Sequence, residues 1–360
     1  MKKTYALLLT IPVLLAALGM AQASSHGNAS HAAKDSAAEY GMGHPHHKED
    51  NQPPRVYTMN EISNTVSVID PAANKFLMDI PLGDEDIHRP LYNGFIDVHG
   101  GWLSPNGKIL LVTARGSSSV VKIDTETNKV AGYTSVGREP HAVMFSHDGK
   151  EAWVTIRGED YISVIDPETL AIKENVKTIN GPGMVYFTRD EKYAFVTSQK
   201  GDQLDIIHTA SRKSVKKLTV GGKFSPFLTL SPDGTEMWVI NKDSGKVTIV
   251  DTEKLEVKSI FEVGPKPNHV HFIRTKEGDF AYITSGGANQ VEVYSQHDRK
   301  LVTKINVGTT PHAVMPNEDM SRLYVDNEGS NDVHVIETAT NQVIAKIPVG
   351  KKPIDLLYKP

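Results

Sequence analysis

The sequence predicts an all-β chain: a seven-bladed β-propeller with four-stranded blades, closed by a C-terminal strand that completes blade one. Three observations predict it. One phrase recurs along the chain, each copy running apolar strand, polar turn, alternating strand, Asp-Thr-like turn, third strand and Val-Gly. The alternating strands end at Asp70, Asp124, Asp166, His208, Asp251, Ser295 and Glu337, in steps of 54, 42, 42, 43, 44 and 42. A period in the low forties with four short β segments per unit is that of a propeller blade. Each copy also carries apolar residues on both sheet faces, which radial stacking buries and a lone sheet cannot. Finally, the first copy, Arg55 to Gly83, lacks the strand that elsewhere follows Val-Gly, and the tail supplies it. The segment Lys352-Pro353-Ile354-Asp355-Leu356-Leu357-Tyr358 matches Glu139-Pro140-His141-Ala142-Val143-Met144-Phe145.

Residues 1–23 are laid out as a cleavable secretory signal: Lys2 and Lys3, an apolar run from Tyr5 to Leu18, then Ala21-Gln22-Ala23. The run is short for a bilayer span, so no membrane insertion is expected after cleavage. Without any Cys the chain offers neither a lipid anchor nor a disulfide framework. A monomer in the periplasm or outside the cell is expected. Residues 24–54, rich in Ala, Ser, Gly and His and without apolar periodicity, read as a disordered leader. Its His44, His46 and His47 suit a metal cation, and a solvated linker is the competing reading. With 39 basic and 43 acidic side chains the net charge is −4, which gives no overall pull toward nucleic acid.

Residues 55–360 form the ring. In a propeller, the loops entering the innermost strands and those leaving the next strands share one face of the central channel, and loops on a rigid scaffold are where ligands are usually held. The inner strands, aligned on their first position, carry His99, His141, Gly183, Pro226, Asn268, His312 and Ile354. His312, His99 and His141 share one arc, extended by His269 next to Asn268, while Gly183 and Pro226 leave the opposite arc without ligands or bulk. Imidazoles facing an open side suit a metal that keeps one coordination position free. His141 and His312 both lie in Pro-His-Ala-Val, so a structural role in the repeat competes with ligation.

An insertion of about 11 residues ahead of His99 adds His88 as a further candidate ligand and Asp97 as a carboxylate to orient His99. His269 and His271, two residues apart, are expected on the side opposite His141 unless the strand start is bent. His147, His208, His297 and His334 read as surface. Arg115, Arg157 and Arg138 reach the same face, where guanidinium groups favour an anionic ligand; bridging adjacent loops is the alternative. No phosphate-binding Gly loop, His-Glu-x-x-His or Gly-x-Ser-x-Gly occurs. Asn106-Gly107, Asp148-Gly149 and Asp233-Gly234 are hairpin turns.

The chain resembles the YVTN-repeat family of propellers. Trp153-Val154-Thr155, Phe195-Val196-Thr197, Trp238-Val239-Ile240-Asn241, Tyr282-Ile283-Thr284 and Tyr324-Val325-Asp326-Asn327 stand where that family has Tyr-Val-Thr-Asn, and Ser231-Pro232-Asp233-Gly234 matches its turn. The resemblance implies a periplasmic or surface-layer propeller, distantly similar to the cytochrome d1 and nitrous oxide reductase propellers. The d1 domains have eight blades, and nitrous oxide reductase needs a denser His set and a Cys-bearing copper domain, so neither activity is implied. The expected function is a non-enzymatic binding platform, taking an unidentified protein or a small anionic ligand at the channel mouth. The alternative is a metal-binding protein or copper-dependent oxidoreductase, with Cu or Zn held by the His cluster.

Overall fold

Seven antiparallel meanders of four strands radiate from one axis. They belong to a computed structural model that describes residues 52–83 and 96–360. The expected signal, nearly all of the expected leader with His44, His46 and His47, and His88 of the insertion fall outside the described residues.

Burial falls from axis to rim, and the sequence shows why. In blade two the innermost strand, Val98–Leu103, and the next, Ile109–Ala114, are buried throughout, whereas the rim strand Lys129–Ser135 is partly or fully exposed. Unbroken apolar runs serve where blades press on both faces, and polar residues enter where one face meets water. At the turn before the rim strand, Asp70, Asp124, Asp166 and Asp251 each accept main-chain N–H bonds from the second and third residues onward, at 2.8–3.0 Å. This local carboxylate bonding makes Asp a turn residue. Gly107, Gly149 and Gly234 take φ of 64°, 70° and 78° in the expected hairpins, a region that costs a side chain energy.

Between blades, the largest buried rings clamp the stack. Trp238 packs edge-on against Phe272 of the next blade, with ring centroids 5.1 Å apart. The Arg299 guanidinium lies 5.0 Å over the Trp238 ring and bonds both oxygens of Glu236 at 2.6 Å. Arg212, Trp153 and Glu151 repeat the arrangement between blades three and four.

The ring closes as the sequence predicts. The C-terminal strand, Pro353–Lys359, pairs antiparallel with Arg55–Asn60, Thr58 opposite Leu356 and Tyr57 opposite Leu357, and becomes the innermost strand of blade one. Its Leu356 is 1% exposed. Leu356→Ala is therefore expected to cost about 2–5 kcal/mol in denaturant unfolding, as Leu110→Ala does in blade two; a cost under about 0.5 kcal/mol, typical of surface positions, would mean a loose tail.

Candidate functional site: the channel mouth

One main-chain device builds the mouth seven times. The residue leading into each inner strand (Asp97, Glu139, Gly181, Phe224, Lys266, Thr310 and Lys352) sits in the left-handed region, with φ of 52–65°. Its carbonyl accepts the N–H of the residue just past the second strand, at 2.8–3.1 Å. The residues so placed are Glu61, Arg115, Arg157, Gln199, Lys242, Gly286 and Glu328. They stand over the inner-strand starts as a partly charged ring: cationic on blades two, three and five, uncharged on blades four and six, acidic on blades seven and one.

Below the ring, the inner strands start with a bulge in blades one, two, three, four, six and seven. A bulge breaks the alternation of side chains, and this bend brings His269 into the cluster. The imidazole centroids of His99 and His141 are 4.2 Å apart, His99 and His312 6.2 Å, and His269 and His312 5.2 Å. A cavity of about 20 Å³ beneath the mouth is lined by His99, His141, His269, His271 and Asp355 with Trp102, Met184, Phe227 and Met315. That volume admits a water-sized occupant. The opposite arc is not open: Met184 and Phe227, one residue past Gly183 and Pro226, fill it, and Phe227 stacks on His269 at 4.0 Å.

His141 is held by a directional chain. Its Nδ1 lies 2.9 Å from the Gly183 carbonyl, which can only accept, so Nδ1 carries the proton. Nε2 then accepts from the Gln199 amide at 2.6 Å, and Gln199 Oε1 accepts from Arg157 at 3.3 Å. A Cβ at position 183 would fall 2.9 Å from both the Ser225 carbonyl and Thr197 Oγ1, so glycine permits the inner strand of blade four to pack closely on the Ser225 main chain. Because Nε2 is occupied, His141 is not poised as a metal ligand or a general base. Among the described residues, no three His, Asp or Glu side chains stand so as to hold a metal ion.

All four imidazoles are driven toward the neutral form. Burial is the main cause for each, lowering the pKa well below 6.5; His141, Arg115, His312 and Arg157 add to it at His99, Arg115 and Arg157 at His141, His271 at His269, and His269 and Lys242 at His312. His312 Nδ1 is sealed from solvent without a partner, and its Nε2 is 3.7 Å from Glu328. Burial raises the Glu328 carboxyl and lowers the Lys242 ammonium.

The predicted basic residues divide sharply. Arg115 is committed to Asp97 through Nε and Nη2, at 3.2 and 2.9 Å, and to Glu61 at 2.8 Å. Asp97 thus grips Arg115 and not His99, which corrects the expected pairing. Arg138 is 73% exposed and bonds Glu159 at 2.7 Å, and Arg157 bonds Glu139 and Gln199. All three bridge loops. Lys242, which the sequence did not flag, has no ion pair within 4.0 Å among the described residues; its ammonium lies 5.6 Å from the Phe224 ring centroid. Aligning the position after each Tyr-Val-Thr-Asn-like segment would have found it, along with Gln199 and Glu328. His334, read as surface, is buried against Asp332 at 3.4 Å.

Residues 21–214, more than half the chain, match the family model described as lactonase, 7-bladed β-propeller, and residues 181–318 match the cytochrome D1 heme domain. No curated protein matches. Similar solved structures include hydrazine synthase from Kuenenia stuttgartiensis, 17% identical with a TM-score of 0.67 over 76% of this chain and 92% of that one. A functionally unknown protein from Desulfotomaculum acetoxidans DSM 771 is 12% identical, with a TM-score of 0.70 over 84% and 98%. The dihydro-heme d1 dehydrogenase NirN in complex with DHE is 12% identical, with a TM-score of 0.63 over 90% and 81%.

A histidine whose folded pKa is depressed contributes stability above its unfolded pKa and loses it as pH falls below about 6.5. Imidazole nitrogen NMR of the full chain at about pH 6 should therefore show His99, His141, His269 and His312 neutral, with the His141 proton on Nδ1. Imidazolium signals from these four at that pH would contradict the burial account.

Proposed function

The chain belongs to the seven-bladed β-propeller family described as lactonases, and from that premise we propose that it binds a small carboxylate-bearing ligand across the channel mouth. Lys242 meets the carboxylate, and the neutral imidazoles of His99 and His312 hydrogen-bond the rest of the molecule. On the reading of residues 1–23 as a secretory signal, the ligand is met in the periplasm or outside the cell.

The observation that supports this reading is the position of Lys242. Burial lowers its pKa, and a partly desolvated cation without a close carboxylate gains from an incoming anion what its own chain does not provide. Arg115, saturated by Asp97 and Glu61, instead stiffens the rim. The lactonase family name fits a carboxylate, since opening a lactone yields one. Binding is the extent of the proposal, because the Nε2 lone pair of His141 is engaged by Gln199.

Calorimetric titration with two carboxylate probes, gluconate and the macrocyclic uroporphyrin, tests it. At least one is expected to bind the wild-type chain, more weakly as salt rises. Lys242→Ala should weaken that binding about tenfold or more, and Arg138→Ala, at an exposed site, should leave it unchanged. Equal affinity in wild type and Lys242→Ala, or no binding of either probe, counts against the reading.

A further inference from the structure

One threonine position ties neighbouring blades together. Thr113, Thr155, Thr197 and Thr284 each accept an inner-strand N–H of their own blade at 2.9–3.0 Å. Thr113, Thr155 and Thr284 also donate to an inner-strand carbonyl of the next blade, 28 residues further on: His141 at 2.9 Å, Gly183 at 2.7 Å and His312 at 2.7 Å. In blade seven this place is taken by Asp326, which is 0% exposed. Its Oδ1 accepts the Ala313 N–H at 2.6 Å, as the threonines do, and its Oδ2 is sealed from solvent with no donor to satisfy it. Counting the same 28 residues onward reaches Ile354, in the closing strand.

A carboxylate in that place would set a negative oxygen against a carbonyl oxygen, whereas a carboxylic acid can donate as the threonine hydroxyl does. We propose that Asp326 latches the ring as a neutral acid, donating from Oδ2 to the Ile354 carbonyl, and that deprotonation releases the seam between blade seven and the closing strand.

The surroundings favour the protonated form. Burial raises the Asp326 carboxyl well above its ordinary range and outweighs the N–H groups of Ala313 and His312, which favour the charged form, and the negative charges of Asp355 and Glu328 push the same way as burial. The groups acting on it are Asp355 on the closing strand, Glu328 two residues along and His312 on the adjacent inner strand; His334 on the third strand stands opposite Val325, on the other face of the sheet. His312 is itself held neutral by burial, and no Lys or Arg ion-pairs with Asp326 among the described residues. The other flank of the closing strand also depends on an acid. Met59 stands in the threonine place of blade one and cannot donate, and Asp355 Oδ2 accepts the Gly101 N–H of blade two at 3.0 Å. Burial pushes Asp355 up to about 7. An acid with a raised folded pKa contributes stability at low pH and loses it as pH rises through that pKa. The seam therefore weakens toward alkaline pH, opposite in sign to the histidines.

Two measurements on the full chain test the latch independently of any ligand. An infrared difference spectrum, wild type minus Asp326→Thr at about pH 7, should contain a carboxylic-acid C=O band; carboxylate bands alone would overturn the proposal. Hydrogen exchange of the amides in 353–359 should show Asp326→Val about tenfold less protected than the isosteric Asp326→Thr, which restores the donor. Equal protection would also overturn it, and if Asp326→Val does not fold, the infrared result decides.

Discussion

Pairing of Pro353–Lys359 with Arg55–Asn60 is the constraint on which the ring depends. A propeller blade has two apolar faces and buries both only between neighbours, so an open ring exposes two faces at once. Placing the last strand at the centre of the first blade makes opening require both the breaking of an internal hydrogen-bond ladder and the exposure of Leu356, Leu357 and Tyr358. The two ends of the ring, Arg55–Asn60 and Pro353–Lys359, are thereby tied beside the axis.

The same centre governs the chemistry. Close packing around the axis withdraws imidazoles and carboxyls from water, and desolvation drives both kinds of group toward neutrality. The outcome is a neutral His cluster beneath a charged rim, where most cations are already committed. Arg115 and Arg157 stiffen the loops they join, and Lys242 has no ion pair within 4.0 Å among the described residues. The desolvation that lowers the histidines raises the seam carboxyls Asp326 and Asp355, so the two sets respond to pH in opposite directions.

The ring and its closure were legible because they rest on periodicity. The turn Asp residues, the Val-Gly breaks and the missing strand of the first copy are all properties of repeated local segments. The site was legible only in part. His99, His141 and His312 do converge, as alignment of the inner strands implies, and His269 joins them because a bulge rotates the strand start, which alternation alone does not foresee. Asp97 was misassigned because its partner, Arg115, comes 18 residues later and is fixed by a main-chain bond between the two residues. Lys242, Gln199 and Asp326 escaped notice because each differs from the repeat at a single position, and its meaning depends on what the other blades place there.

The chain has no cysteine, so one introduced pair reports on closure without ambiguity. Cysteines at Thr58 and Leu356, which face each other across the closing pair of strands, should form a disulfide under mild oxidation of the folded protein and raise its melting temperature above that of the same variant in the reduced form. If the two thiols stay free in the native state, or cross-link only after denaturation, the closing strand is not where the ring requires it.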